Sequence, residues 1–258
     1  MPFRTDGSSH RDGIRNEEFI TTLLHSIPQN VFDQRIAKEQ DKEDVEGWSV
    51  EGGTKQQADS RCHFTDGTSC TISIKNHKNE GGTFDWANTT TCIPSELNEW
   101  IHYFKSKNKD RDITPEIRNE FADFVDAFFE EFDEERIGQL INDLYHHTTD
   151  YIIINNVPDR ELILTKKNPL DILSKLEDGC KLVFKKKNAK NSRTIWIDCP
   201  DGMSINTNLR LRLTLNNGIT ALLGKSKANK NSKLCFKLQQ ENVGKLIETL
   251  EDRTVLKY

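Results

Sequence analysis

Apolar positions recur at helical spacing near the start of the chain, where Ile14, Phe19, Ile20, Leu23 and Leu24 predict a helix over 12–25 with Asp12 as its N-cap. Pro28 stops it. The polar, acidic stretch 38–46 reads as a loop or a weak surface helix. Over 47–93 the period falls to two: strands are predicted around 48–50, 58–64 and 70–75, broken by Gly52-Gly53. Asp66-Gly67 signals a two-residue hairpin, and 76–82 reads as a polar loop. From 94 to 147 the spacing turns helical again. Leu97, Trp100, Ile101 and Phe104 form one stripe; Phe121, Phe124, Val125, Phe128 and Phe132 form another, continued by Ile137, Leu140, Ile141 and Leu144. Strands follow at 151–154, 181–184, 194–197 and 209–215, then Asn216-Asn217-Gly218 as a hairpin into a strand at 219–223. A last strand at 234–238 and a closing helix at 243–250 complete the chain. This order predicts an α+β fold with a mixed central β-sheet flanked by helices. It divides one domain over 1–258 into a helix and meander at 1–93, a helical segment at 94–150 and a strand-rich part at 151–258.

Composition changes that picture little, because 34% hydrophobic against 30% charged residues fits a soluble folded protein. No apolar run reaches the roughly 20 residues of a bilayer span, and residues 1–6 lack the apolar core of a signal peptide, so the cytoplasm is the expected location. Six cysteines without a CxxC pair predict reduced thiols rather than a zinc ribbon or a disulfide scaffold. The seven histidines show no ligand spacing; His146-His147 read as helix-end residues. Charge adds more: residues 1–150 carry a balance of -14 and residues 151–258 one of +9, which marks the second half as the side that faces a polyanion.

One stretch carries chemistry. Asp59 precedes the hairpin and Lys75 ends its second strand. Hydrolysis of a phosphodiester needs an activated water, a Lewis acid on the phosphate and positive charge where the oxygens become negative. Asp59 suits the role of metal-binding carboxylate, and Lys75 that of water-polarising or charge-neutralising cation. Thr71, Ser73 and Lys75 share one strand face, Ile72 and Ile74 the other, so isoleucines in the core would turn Ser73 and Lys75 together towards Asp59. An ordinary cross-strand ion pair between Asp59 and Lys75 is the alternative.

Asp59 followed by Ile72-Ser73-Ile74-Lys75 resembles the PD-(D/E)XK nuclease superfamily, and the flanks resemble small type II restriction endonucleases that cut four-base palindromes, of the GCGC-cutting type. Asp12-Gly13-Ile14-Arg15-Asn16-Glu17 is similar to the opening helix of that type, Gly53-Thr54-Lys55 to its approach to the metal aspartate, and 224–238 to its basic C-terminal loop and last strand. The resemblance implies a restriction-endonuclease-like core and a Mg²⁺-dependent endonuclease of a restriction-modification system, acting on double-stranded DNA as a monomer or a homodimer and leaving 5′-phosphate ends. It implies Asp59 and Glu17 as metal-site carboxylates and Lys75 as the catalytic lysine. Ser73 stands where the second acidic ligand usually stands; it would hold a metal-bound water, or the role has moved to Glu51. A structure-specific or repair nuclease of the same superfamily, and a non-catalytic DNA-binding descendant, are the alternatives.

Base edges are read by Arg, Lys, Asn and Gln, and phosphates are clamped by Lys, Ser and Thr. Lys225, Lys227, Asn229, Lys230, Asn231 and Lys233 form one candidate DNA-binding set, and Asn76, His77, Lys78 and Asn79, beyond the catalytic strand, form a second. Lys185-Lys186-Lys187 and Lys190 would add affinity for the backbone.

Overall fold

The computed structural model describes residues 8–51, 58–79, 82–146, 148–166, 176–186, 189–225 and 232–258. They form two compact units, one built from 1–84, 148–171 and 242–258, the other from 85–147 and 172–241. The chain passes between the units four times, so each of the three predicted linear segments contributes to both.

The first unit holds a six-stranded sheet. Its strands are β1 (Val45–Val50), β2 (Ser60–Phe64), β3 (Ser69–His77), β5 (Tyr151–Asn156), β6 (Glu161–Lys166) and β11 (Thr254–Lys257), in the order β1-β2-β3-β5-β6-β11. The sheet is mixed: β3 and β5 run parallel, and the other neighbours are antiparallel. A parallel pair needs a long crossover, and here residues 78–150 supply it, carrying β4 (Phe84–Thr89), α3 (Ser95–Asn108), α4 (Pro115–Glu130) and α5 (Glu134–His146). Helices α1 (Ser8–Ser26) and α2 (Val31–Glu39) cover one sheet face, where Ile20, Leu24, Phe32 and Ile36 pack on Trp48, Cys62, Phe64, Ile72, Ile74, Tyr151 and Ile153. Helix α1 begins four residues before the expected cap at Asp12. Helix α2 lies just ahead of the stretch read as loop; Asn30 caps it through the amides of Phe32 and Asp33, and the Asp33 carboxylate returns a bond to the Asn30 amide.

A second sheet stands where one central sheet is predicted. Its order is β4-β10-β9-β8-β7, with β7 (Lys181–Lys186), β8 (Ser192–Asp198), β9 (Ser204–Leu215) and β10 (Leu234–Gln240) pairing antiparallel. One of its faces is apolar, with Leu182, Ile195, Leu209, Leu211, Leu213, Phe236 and Leu238 buried. Helix α4 meets this face: Phe129 and Phe132 pack on Phe184, and Arg193 pairs with Asp126 and Glu130. Residues 219–223 do not form the predicted strand. They lie in a short helix, α6 (Gly218–Leu222), because Gly218 turns the chain at φ 74° and an amphipathic Ile219, Ala221, Leu222 set then buries itself. The thiol expectation is also corrected: Cys180 and Cys199 are disulfide-bonded, since the β7/β8 register places them just beyond the paired Lys181 and Asp198. Cys62, Cys70, Cys92 and Cys235 are free. Helix α7 (Val243–Thr249) leads into β11. Among the described residues no helix is long and apolar enough to cross a membrane.

Candidate functional site

The hairpin β2/β3 turns through three residues, Thr65-Asp66-Gly67, rather than two. Phe64 and Thr68 close it by Phe64 N–H donating to the Thr68 carbonyl at 2.9 Å, and Gly67 takes φ 82°, a conformation a side chain disfavours. The register then pairs Cys62 with Cys70 and Ser60 with Ile72, leaving Asp59 one residue outside β2 and opposite the second half of β3.

There Asp59 is fixed from two sides. Its Oδ2 accepts a hydrogen bond from the Ser73 hydroxyl at 2.7 Å and another from the Ile74 amide at 2.6 Å. Both donors belong to β3, and alternation explains the pair: Ile72 and Ile74 are buried in the core while Ser73 points to the aspartate. Ser73 is 5% exposed and commits its hydroxyl to Asp59, so its place in the usual acidic slot is that of a carboxylate-orienting donor. Both bonds fall on Oδ2, which leaves Oδ1 uncommitted among the described residues. The cross-strand ion pair does not form; among the described residues Lys75, half-buried two positions beyond Ser73, has no carboxylate within salt-bridge distance.

Glu17 reaches the same region from α1. Burial, followed by the nearby negative charge of Asp59, raises its pKa above the ordinary 4.5, while Lys75 pulls the other way. These three groups therefore feel one another. Glu17 folds back along its helix, with Oε1 3.8 Å from where a Cβ on Gly13 would sit, an ordinary contact distance. An amide cluster ties the elements together: Asn155 Nδ2 donates to Asn16 Oδ1 at 2.7 Å and to Asn76 Oδ1 at 3.1 Å, and Asn155 Oδ1 accepts from the Tyr258 hydroxyl at 2.6 Å. Asn16 is the neighbour of Glu17 and Asn76 that of Lys75. Asn155, 4% exposed at the carboxyl end of β5, thus locks α1 against the ends of the parallel pair. Crevices at such ends are where sheets with parallel strands commonly bind ligands.

The other predicted residues fall less neatly. Glu51 donates its backbone N–H to the Asp59 carbonyl at 3.1 Å, and its Oε1 pairs with Arg61 Nε at 3.2 Å. His77 is 5% exposed with its Nδ1 buried and unpartnered among the described residues, which keeps it from base edges in this conformation. Asn76 serves the amide cluster, while Lys78 and Asn79 are exposed. Of the basic loop, Lys225 and Lys233 are exposed; Lys227, Asn229, Lys230 and Asn231 lie outside the described residues, as does Gly53-Thr54-Lys55. Asn155, Asn16 and Tyr258 were not legible as site residues, because two amides and a terminal tyrosine carry no spacing signal until β5 is placed beside β3. For a divalent cation the chain offers Asp59 and Glu17, two hard oxygen donors; Mg²⁺ needs no more than one or two carboxylates beside water and a phosphate. No family model matches the chain, and no curated protein does.

Proposed function

We propose that the protein is a Mg²⁺-dependent endonuclease with a restriction-endonuclease-like core, hydrolysing double-stranded DNA at a short sequence and leaving 5′-phosphate ends. The observation that carries this reading is Asp59 held at one carboxylate oxygen by Ser73 and Ile74, beside a Lys75 with no carboxylate partner among the described residues and a Glu17 whose protonation responds to both. Mg²⁺, when bound, would supply Lewis acidity to the scissile phosphate. Asp59 and Glu17 would hold the ion. Ser73 and the Ile74 amide keep Asp59 from rotating. Lys75 faces the charge that develops on the phosphate and does so without first leaving an ion pair. The expected place of action is the cytoplasm, as a monomer or as a homodimer on a symmetric DNA site.

Incubation of the purified protein with plasmid DNA, in Mg²⁺ and in EDTA, is the direct assay. Cleavage in Mg²⁺ alone, with discrete ends on sequencing and a loss of about 10²-fold or more in Lys75→Ala, supports the proposal. Full activity in Lys75→Ala would sink it. Ser73 favours a second reading, a DNA-binding protein without catalysis, because a serine bonded to Asp59 replaces a ligand; salt-sensitive duplex binding with no cleavage in Mg²⁺ or Mn²⁺ would establish that instead.

A further inference from the structure

The second sheet has a polar as well as an apolar face. Its apolar face carries α4, and cations on that side are already neutralised: Arg193 pairs with Asp126 and Glu130, Lys186 with Asp126, and Lys190 with Asp123. Strand alternation puts a different set on the opposite face. Lys181 and Lys185 come from β7, Ser192, Thr194 and Trp196 from β8, Arg210, Arg212 and Thr214 from β9, and Lys237 and Gln239 from β10. The cross-strand registers Thr194↔Arg210, Ser192↔Arg212, Arg212↔Lys237 and Arg210↔Gln239 confirm that these side chains stand together.

Carboxylates on this face sit at its margins. Asp198 takes Lys185 at 2.9 Å, Asp85 on edge strand β4 takes Lys237 at 3.3 Å and Gln239 at 2.7 Å, and Glu241 just beyond β10 takes Arg210 at 3.4 Å. The centre is different. Arg212 lies on β9, the middle strand, and its Nε is buried without a hydrogen bond among the described residues. A buried guanidinium N–H with no acceptor costs free energy, and a second guanidinium beside it adds repulsion. Burial, and then the charge of Arg210, accordingly lowers the basicity of Arg212, which nonetheless stays protonated at neutral pH. An oxyanion at the outer ends of the two guanidinium groups would offset the repulsion between them. Lys185, stacked 4.6 Å over the Trp196 ring, and the Gln239 amide flank that position with the cation, flat ring and amide that nucleic-acid surfaces employ.

We infer that this sheet face is a DNA-binding surface in addition to the Asp59 cluster, on which Arg210 and Arg212 take a backbone phosphate of duplex DNA. The inference rests on the DNA-cleaving reading for its choice of anion. Strands are established readers of duplex DNA, and a phosphate clamp positions the protein without specifying sequence.

Fluorescence anisotropy of a labelled duplex in EDTA, across a range of salt concentrations, tests it separately from cleavage. Arg212→Ala should weaken binding at every salt concentration and reduce the salt slope by about 1, with Arg210→Ala/Arg212→Ala reducing it further. Arg212→Lys should keep the slope, and Lys107→Ala, on α3 and paired with Glu120, should leave binding unchanged. Circular dichroism monitors folding; if the Arg212 variants fail to fold, Lys181→Glu at its exposed position carries the test and should weaken binding. Unchanged binding in folded Arg210 and Arg212 variants of an enzyme that cleaves overturns this surface alone. No duplex binding and no cleavage by the wild-type protein overturns the nuclease reading and this surface with it.

Discussion

Ser73 shows how one residue changes meaning once its bonds are known. In the strand pattern it is a missing acid; in the fold it is the donor that orients Asp59. Glu17 carries the matching cost. Its carboxyl is held above pH 4.5 mainly by burial and by Asp59, so the folded chain binds that proton more tightly than the unfolded chain. The associated stability is complete below pH 4.5 and is lost as pH rises through the raised folded value. Glu17→Gln removes a carboxylate that is strained at neutral pH, as functional residues often are. Thermal melts between pH 4 and 8 should show a higher Tm for the variant at pH 7 and a shallower decline with pH, while Mg²⁺-dependent cleavage falls. Asp33, also raised by burial, retains part of the slope. A lower Tm at pH 7 would contradict this account of the site.

At the scale of elements, the β2/β3 hairpin sets where Asp59 meets Ser73, and Gly67 sets the hairpin. A Cβ at Gly67 meets no atom within 4 Å, so a substitution there reports backbone strain alone. Gly67→Ala should cost about 1–2 kcal/mol in denaturant unfolding, and Gly67→Asn less, because asparagine tolerates the left-handed region better. Equal losses for the two would point to something other than φ. Elements with strong periodicity were legible: α1, β3, β5, β10 and the three helices over 95–146 follow their stripes. The strands β4 and β11 were not, since they are short and pair with strands far along the chain, and β6, in a hairpin with the adjacent β5, was not read either. Ile219 to Leu223 was misread for the opposite reason: an apolar run fits a strand or a helix until the turn at Gly218 decides.

Across the whole molecule, the charge split visible in the sequence resolves into faces. The acidic residues Asp123, Asp126 and Glu130 of α4 meet cations on one side of the second sheet, and Arg212, whose Nε has no hydrogen bond among the described residues, lies on the other. The Cys180–Cys199 bond, 19 residues apart, closes the β7/β8 hairpin of that sheet. Removing it by Cys180→Ser/Cys199→Ser should cost about 3 kcal/mol by loop entropy, and a reductant should bring the wild-type protein down to the variant. Thiol titration in denaturant should count the four free cysteines, rising to six after reduction; six without reductant would show the pair to be open. By itself the sequence determined the helical and strand stripes, the Asp59 and Lys75 spacing and the basic second half, because periodicity and charge are local properties. Only the tertiary structure decided that there are two sheets, that Asn155 joins α1 to β3 and that the Arg212 Nε lacks an acceptor among the described residues. Each of these depends on which distant strands become neighbours, and long-range pairing is fixed by the burial of many side chains together rather than by any one segment.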